Sequence, residues 1–133
     1  MACTEFELSN LFPLLKHHIA LIERHEDKFH RDFSLSFLKC SDDKIEDIKN
    51  MLLKILRNSD IIFTSGRYIV IFSPGANWNV AYDIVNGVQD FFGIKDKKDA
   101  IVSYPDDGEN AVQLLEKFSE VIHKNYDITI NFI

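Results

Sequence analysis

Residues 64–72, "TSGRYIVIF", decide how this chain folds. Ser65-Gly66 reads as a two-residue turn. Behind it runs a β-branched and aromatic segment, Tyr68, Ile69, Val70, Ile71 and Phe72, and ahead of it stand Ile61, Ile62 and Phe63. Two such runs joined through glycine predict a β-hairpin with strands over 61–64 and 68–72.

Upstream, residues 33–40 alternate. Phe33, Leu35 and Phe37 lie on one side and Ser34 and Ser36 on the other, the period-two pattern of a strand buried more on one face. Between this strand and the hairpin, Ile45, Ile48, Leu52, Ile55 and Leu56 recur at helical spacing, with Ser41 placed as the cap and an end near Asn58. Downstream, Pro74-Gly75 breaks the chain. Val80, Ala81, Ile84, Val85, Val88, Phe91 and Phe92 then mark a helix that closes before Gly93. A short strand over 100–104 ends at the turn cluster Pro105-Asp106-Asp107-Gly108. Ala111, Val112, Leu114, Leu115, Phe118, Val121 and Ile122 predict a further helix, and Ile128, Ile130 and Phe132 alternate as a last strand. Leu11, Leu14, Leu15, Ile19, Ile22 and Phe29 predict a long leading helix over 10–29, with Pro13 tolerated in its first turn.

The order strand, helix, strand, strand, helix, strand is that of a split βαβ, ferredoxin-like core. The expectation is an α+β domain with a mainly antiparallel five-stranded sheet covered by helices on one face. Residues 1–31 would form the leading helix and 32–133 the core of a single domain. A chain of 133 residues suits one domain, and 46% hydrophobic with 27% charged residues is the balance of a soluble globular protein. A formal charge of -6 disfavours a nucleic-acid polymer as partner, because polyanion binding needs a basic face. Cys3 and Cys40 are too few for a disulfide framework and form no C-x-x-C pair. Neither a signal peptide nor a membrane span is legible, so a cytoplasmic location is expected.

Four segments, in order, resemble the GGDEF domains that make cyclic di-GMP from two GTP molecules. "LSNLFP" (8–13) resembles that family's LTGLPN. "FSLSFL" (33–38) resembles its first strand, and "RNSDIIFTSGRYIVIFSP" (57–74) resembles RESDLVARLGGDEFVILLP with one residue fewer. "VSYPDDGENAVQLL" (102–115) is similar to SIGVAEYPDDGEDAEELL. The resemblance implies a nucleotidyl-cyclase-type core, a role in bacterial cyclic di-GMP signalling and, in active members, divalent cations held by acidic groups.

Those acidic groups are replaced here. Lys39 and Ser41 stand at the two first-strand aspartate positions. Ser65, Gly66, Arg67, Tyr68 and Ile69 match Gly-Gly-Asp-Glu-Phe when counted back from Pro74, so Arg67 and Tyr68 replace both hairpin acids. The connection over 41–60 is long enough for one helix and lacks the family's Phe-Lys-x-x-Asn-Asp motif, while Asp42 and Asp43 suit the electrostatics of a helix start. The expectation is a catalytically inactive domain, with no metal or cofactor, that regulates or assembles through protein contacts, including a homodimer. Arg57-Asn58-Ser59-Asp60 matches the family's R-x-x-D inhibitory site, which implies cyclic di-GMP binding through Arg57 and Asp60. The same two residues also suit a helix end and a turn. A nucleotide-processing enzyme with a rebuilt metal site is a third, remote alternative.

Other candidates are simpler. His17, His18, His25 and His30 lie on or after the first helix, and His18 and His25 sit two turns, about 10 Å, apart, too far to share an ion without a third element. Trp78 at a helix start is a candidate interaction anchor. Ser36, Ser65 and Ser103 have no histidine and carboxylate in motif context, so a hydrolase triad has no support.

Overall fold

The computed structural model describes residues 3–25 and 32–133. In chain order its elements are β1 (Thr4–Glu7), a 3-10 turn (Leu8–Asn10), α1 (Leu11–Arg24), β2 (Phe33–Lys39) and α2 (Ile45–Ile55). There follow β3 (Ile61–Ser65), β4 (Tyr68–Pro74), α3 (Trp78–Phe91), β5 (Ile101–Tyr104) and α4 (Ala111–Tyr126). The five strands form one mixed sheet in the order β1-β3-β4-β2-β5, antiparallel throughout except for the β1–β3 pair. Among the described residues the fold is therefore α+β with four α-helices, and the order β-α-β-β-α-β runs from β2 to β5.

The hairpin forms one residue later than its first reading. Ser65 pairs with Tyr68, leaving Gly66-Arg67 as the two-residue loop. Gly66 takes φ 57° at the first loop position, the left-handed setting that a hairpin turn with glycine leading requires.

Two strand assignments change. Ile128, Ile130 and Phe132 are not in a strand: the tail packs back on α4, with Phe132 stacked on Phe118 at 5.3 Å and the Ser119 hydroxyl donating to the Ile130 carbonyl at 2.9 Å. The fifth strand comes instead from Thr4–Glu7, so the leading segment supplies a sheet edge as well as a helix. Its pattern Thr-Glu-Phe-Glu offers a single apolar side chain, Phe6, which stacks on Phe63 at 6.2 Å. The edge position explains why so polar a segment can be a strand.

Helices cover both faces of the sheet rather than one. Phe33, Leu35 and Phe37 of β2 join Leu15, Ile19 and Ile22 of α1 and Leu115, Phe118 and Ile122 of α4. Leu38, Ile62, Ile69 and Ile71 join Ile48 and Leu52 of α2 and Ala81, Val85 and Val88 of α3. Ser34 and Ser36, placed on the emptier side by alternation alone, are buried because this second layer covers them. The Ser34 and Ser73 hydroxyls, on paired residues of β2 and β4, are sealed in without a hydrogen-bond partner.

Element ends follow local chemistry. α1 ends at Arg24, and the part of the predicted leading helix over 26–29, like His30, lies outside the described residues. Ser41 starts α2 through its carbonyl, which accepts from the Lys44 and Ile45 N–H groups at 3.1 and 3.0 Å, not through a hydroxyl cap. α2 stops at Ile55 instead of Asn58. Asn77 and Asn110 cap α3 and α4 by accepting from the N–H groups of Val80 and Gln113. Gly108 lies so close to α4 that a Cβ there would stand 2.5 Å from the Leu114 nitrogen. On the outer edge of β5, the Asp107 carboxylate accepts from the Ser103 N–H at 2.8 Å, and the Asp107 N–H donates to the Ser103 carbonyl at 2.9 Å. The 105–108 turn thus closes an edge that could template another strand. Among the described residues no helix is long and apolar enough to cross a membrane.

His18 lies edge-on to Phe33 and Phe72 at 5.4 and 4.9 Å, and burial first, then His17, lowers its pKa below the ordinary 6.5. Its neutral form is thus the one the fold favours. The stability it contributes is complete above pH 6.5 and is lost as pH falls through the lower folded value, because the unfolded chain takes up the proton first. Urea denaturation at several pH values is expected to show stability falling on acidification below 6.5, with a shallower fall in His18→Gln; equal slopes in both proteins would remove His18 as a cause.

Candidate functional site

The pairing of β2 with β4 runs from Phe33 opposite Pro74 to Lys39 opposite Tyr68, and the Cys40 N–H continues it by donating to the Arg67 carbonyl at 2.8 Å. This ladder brings Lys39, Ser41, Ser65, Gly66, Arg67 and Tyr68 to one end of the sheet. Their side chains then diverge. Tyr68 turns into the core against Phe37, 5.4 Å between ring centres, and serves packing. Arg67 remains exposed, with its Nε 3.7 Å from the Asp42 carboxylate. The Ser41 hydroxyl, by hydrogen bonding, holds the Asp43 carboxyl below its ordinary pKa. Cys40 faces inward, and burial pushes its thiol up to about 11, which leaves it protonated and unreactive at neutral pH.

This donor set does not fit the divalent cations that the family resemblance implies. The positions that would carry carboxylates hold an ammonium, a hydroxyl, a guanidinium and a phenol turned into the core. Asp42 already faces Arg67. No group of three or more His, Cys, Asp or Glu side chains converges among the described residues.

Beside the hairpin tip lies a cleft of ≈ 540 Å³, walled by Glu7, Ser9, Ile45, Glu46, Lys49, Thr64, Ser65 and Gly66. Its polar wall is already self-paired. The Lys49 ammonium lies 3.1 Å from Glu5 and 3.6 Å from Glu46, and the Thr64 hydroxyl donates to the same Glu5 oxygen at 3.0 Å. The hydrogen bond to Glu5 raises the Lys49 pKa, so it stays charged and engaged. Glu5, Glu7 and Glu46 outnumber this one lysine, a balance that repels a triphosphate. Sequence reasoning missed the cleft because one wall comes from the end of β1 and the 3-10 turn after it, Glu7 to Ser9. The signal available was the alternation of Thr4, Glu5, Phe6 and Glu7.

Arg57 and Asp60 close the turn between α2 and β3. The Asp60 carboxylate is 2% exposed, and it accepts from Arg57 Nη2 at 2.9 Å, from Nε at 3.3 Å and from the Arg57 backbone N–H at 2.9 Å. Arg57 is 56% exposed and also donates from Nη2 to the Pro74 carbonyl at 2.8 Å, tying this turn to the end of β4. The bidentate pair that could read guanine is thus turned inward on itself. Trp78 stacks on Tyr82 at 5.2 Å and 10°, an exposed aromatic pair on the first turns of α3. His17 and His18, adjacent on α1, join no metal-ligating group.

Neither a protein-family model nor a curated protein matches this chain.

Removing the Arg57 side chain leaves Asp60 buried with only backbone partners. Arg57→Ala is therefore expected to lower unfolding stability by about 2–3 kcal/mol in urea denaturation. A loss within experimental error would show that the pair holds nothing.

Proposed function

We propose that the chain is a non-catalytic regulatory or protein-interaction domain built on a ferredoxin-like, nucleotidyl-cyclase-type core of GGDEF pattern. Two features support the architecture: the order β-α-β-β-α-β and the strand sequence β5-β2-β4-β3 with antiparallel neighbours throughout. The observation that carries the functional reading is the charge at the end of the β2–β4 ladder. There Lys39 and Arg67 stand at positions that the resemblance gives to metal-binding acids, and the Cys40–Arg67 hydrogen bond holds the two segments in register. Two unit charges of one sign at 4 Å repel by about 4 kcal/mol at an effective dielectric of 20, and a divalent ion roughly doubles that. Generous screening does not reverse the sign.

Cyclic di-GMP binding through Arg57 and Asp60 is the competing reading. It requires the guanidinium to leave a buried carboxylate that has no other side-chain partner, which makes it the weaker of the two. A nucleotide-processing enzyme with a rebuilt metal site would need acids that the hairpin end does not supply.

Incubating the purified protein with GTP and magnesium or manganese is expected to yield no cyclic product. Turnover above a heat-killed control would overturn the non-catalytic reading.

A further inference from the structure

The layer formed by α2 and α3 carries apolar surface that nothing in the protomer covers. On α3, Val80, Gly87 and Phe91 recur at i, i+7 and i+11 as an exposed stripe, and the half-buried Ile84 between them packs against the cluster of Ala81, Val85 and Val88. Phe91 is 73% exposed and Val80 47%; on α2, Ile55 is 55% exposed beside the buried Ile48 and Leu52. A phenylalanine so exposed, continuous with other apolar groups, marks an interaction surface more often than chance.

The charges on this layer indicate what covers it. α2 joins β2 to β3 and α3 joins β4 to β5, and β2 and β3 run opposite to β4 and β5, so α2 and α3 run antiparallel on one face of the sheet. The Lys44 ammonium donates to the Phe92 carbonyl at 3.2 Å and sets the start of α2 beside the end of α3. From there Lys54 lies ten residues along α2, about 15 Å, and Asp83 nine residues back along α3, about 13.5 Å. By that rise the two fall at similar heights, about 1.5 Å apart; both are exposed, and neither has an ion-pair partner among the described residues. Ile55 and Val80 share a height by the same count. Asp90, further along α3, is already neutralised by Lys97.

We propose that this face joins two copies of the chain, each laying its α2 on the α3 of the other about a two-fold axis that runs along and between the helices. Such an axis preserves height. It sets Lys54 on the partner's Asp83 and Ile55 on the partner's Val80, each contact occurring twice, as an isologous interface requires. α2 exposes Asp47 as well as Lys54, so the face carries both signs; Lys54 and Asp83 complement the same surface turned over, whereas a partner of uniform charge would meet repulsion at one of them. This inference rests on the reading of the chain as an interaction module and names its partner.

Sedimentation equilibrium on the full chain tests it. The parent protein is expected to dimerise with rising concentration. Lys54→Asp and Asp83→Lys should each weaken the dimer by roughly tenfold, and the doubly swapped variant should recover the parent affinity. Phe91→Asp should be monomeric while unfolding at the parent's urea midpoint. A parent monomeric up to millimolar concentration, single swaps without effect, or a double swap that fails to recover would each overturn the proposal. None of these outcomes bears on the absence of turnover with GTP, so the two readings fail separately.

Discussion

The register between β2 and β4 is the constraint on which the rest of the structure depends. Seven consecutive pairs, from Phe33–Pro74 to Lys39–Tyr68, are extended by the Cys40–Arg67 hydrogen bond. β2 is buried on both faces, so a slip of one residue would exchange Phe33, Leu35 and Phe37 for Ser34, Ser36 and Leu38 between two separately packed layers. With the register held, every side chain at the hairpin end has one place. The aromatic ring of Tyr68 belongs to the core, and the charge of Arg67 belongs to the surface. The electrostatic character of this end of the molecule is thus a consequence of packing elsewhere.

The same economy governs the margins of the sheet. The β5 edge is closed by the Asp107 turn at Ser103. Nearby, the Lys98 carbonyl accepts from Gln89 and Tyr126 and the Asp99 carbonyl from Asn125. Burial and the neighbouring Asp99 push the Tyr126 phenol up to about 12, so it remains a donor at any physiological pH. β1, at the opposite margin, is short and carries Glu5 and Glu7. Both edges are thereby discouraged from strand addition, which leaves helix surfaces as the apolar area open to contact.

Most of the core was legible from sequence because its signals are local and repeated. The hairpin, β2, α2, α3 and α4 each carry an unbroken apolar period. What escaped depended on partners distant in the chain. Thr4–Glu7 reads as polar and becomes a strand only because β3 offers it a ladder. Ile128, Ile130 and Phe132 alternate as a strand would, yet α4 takes them as a packed tail, since Phe118 and Ser119 supply their contacts. Ser34 and Ser36 misled because a serine face suggests solvent, while the small residues of α3 let a helix cover it. At the hairpin end the grouping of Lys39, Ser41, Arg67 and Tyr68 was readable, but the inward turn of Tyr68 and the self-pairing of Arg57 with Asp60 required side-chain geometry.

On the non-catalytic reading proposed for this domain, the end of the β2–β4 ladder, with Lys39 and Arg67, rejects the divalent ions that nucleotide cyclisation requires. Manganese electron paramagnetic resonance with a non-hydrolysable GTP analogue measures this directly. Adding the protein is expected to leave the spectrum of the metal–nucleotide mixture unchanged. A saturable, one-to-one protein-bound manganese signal, altered by substitution of Arg67, would contradict it.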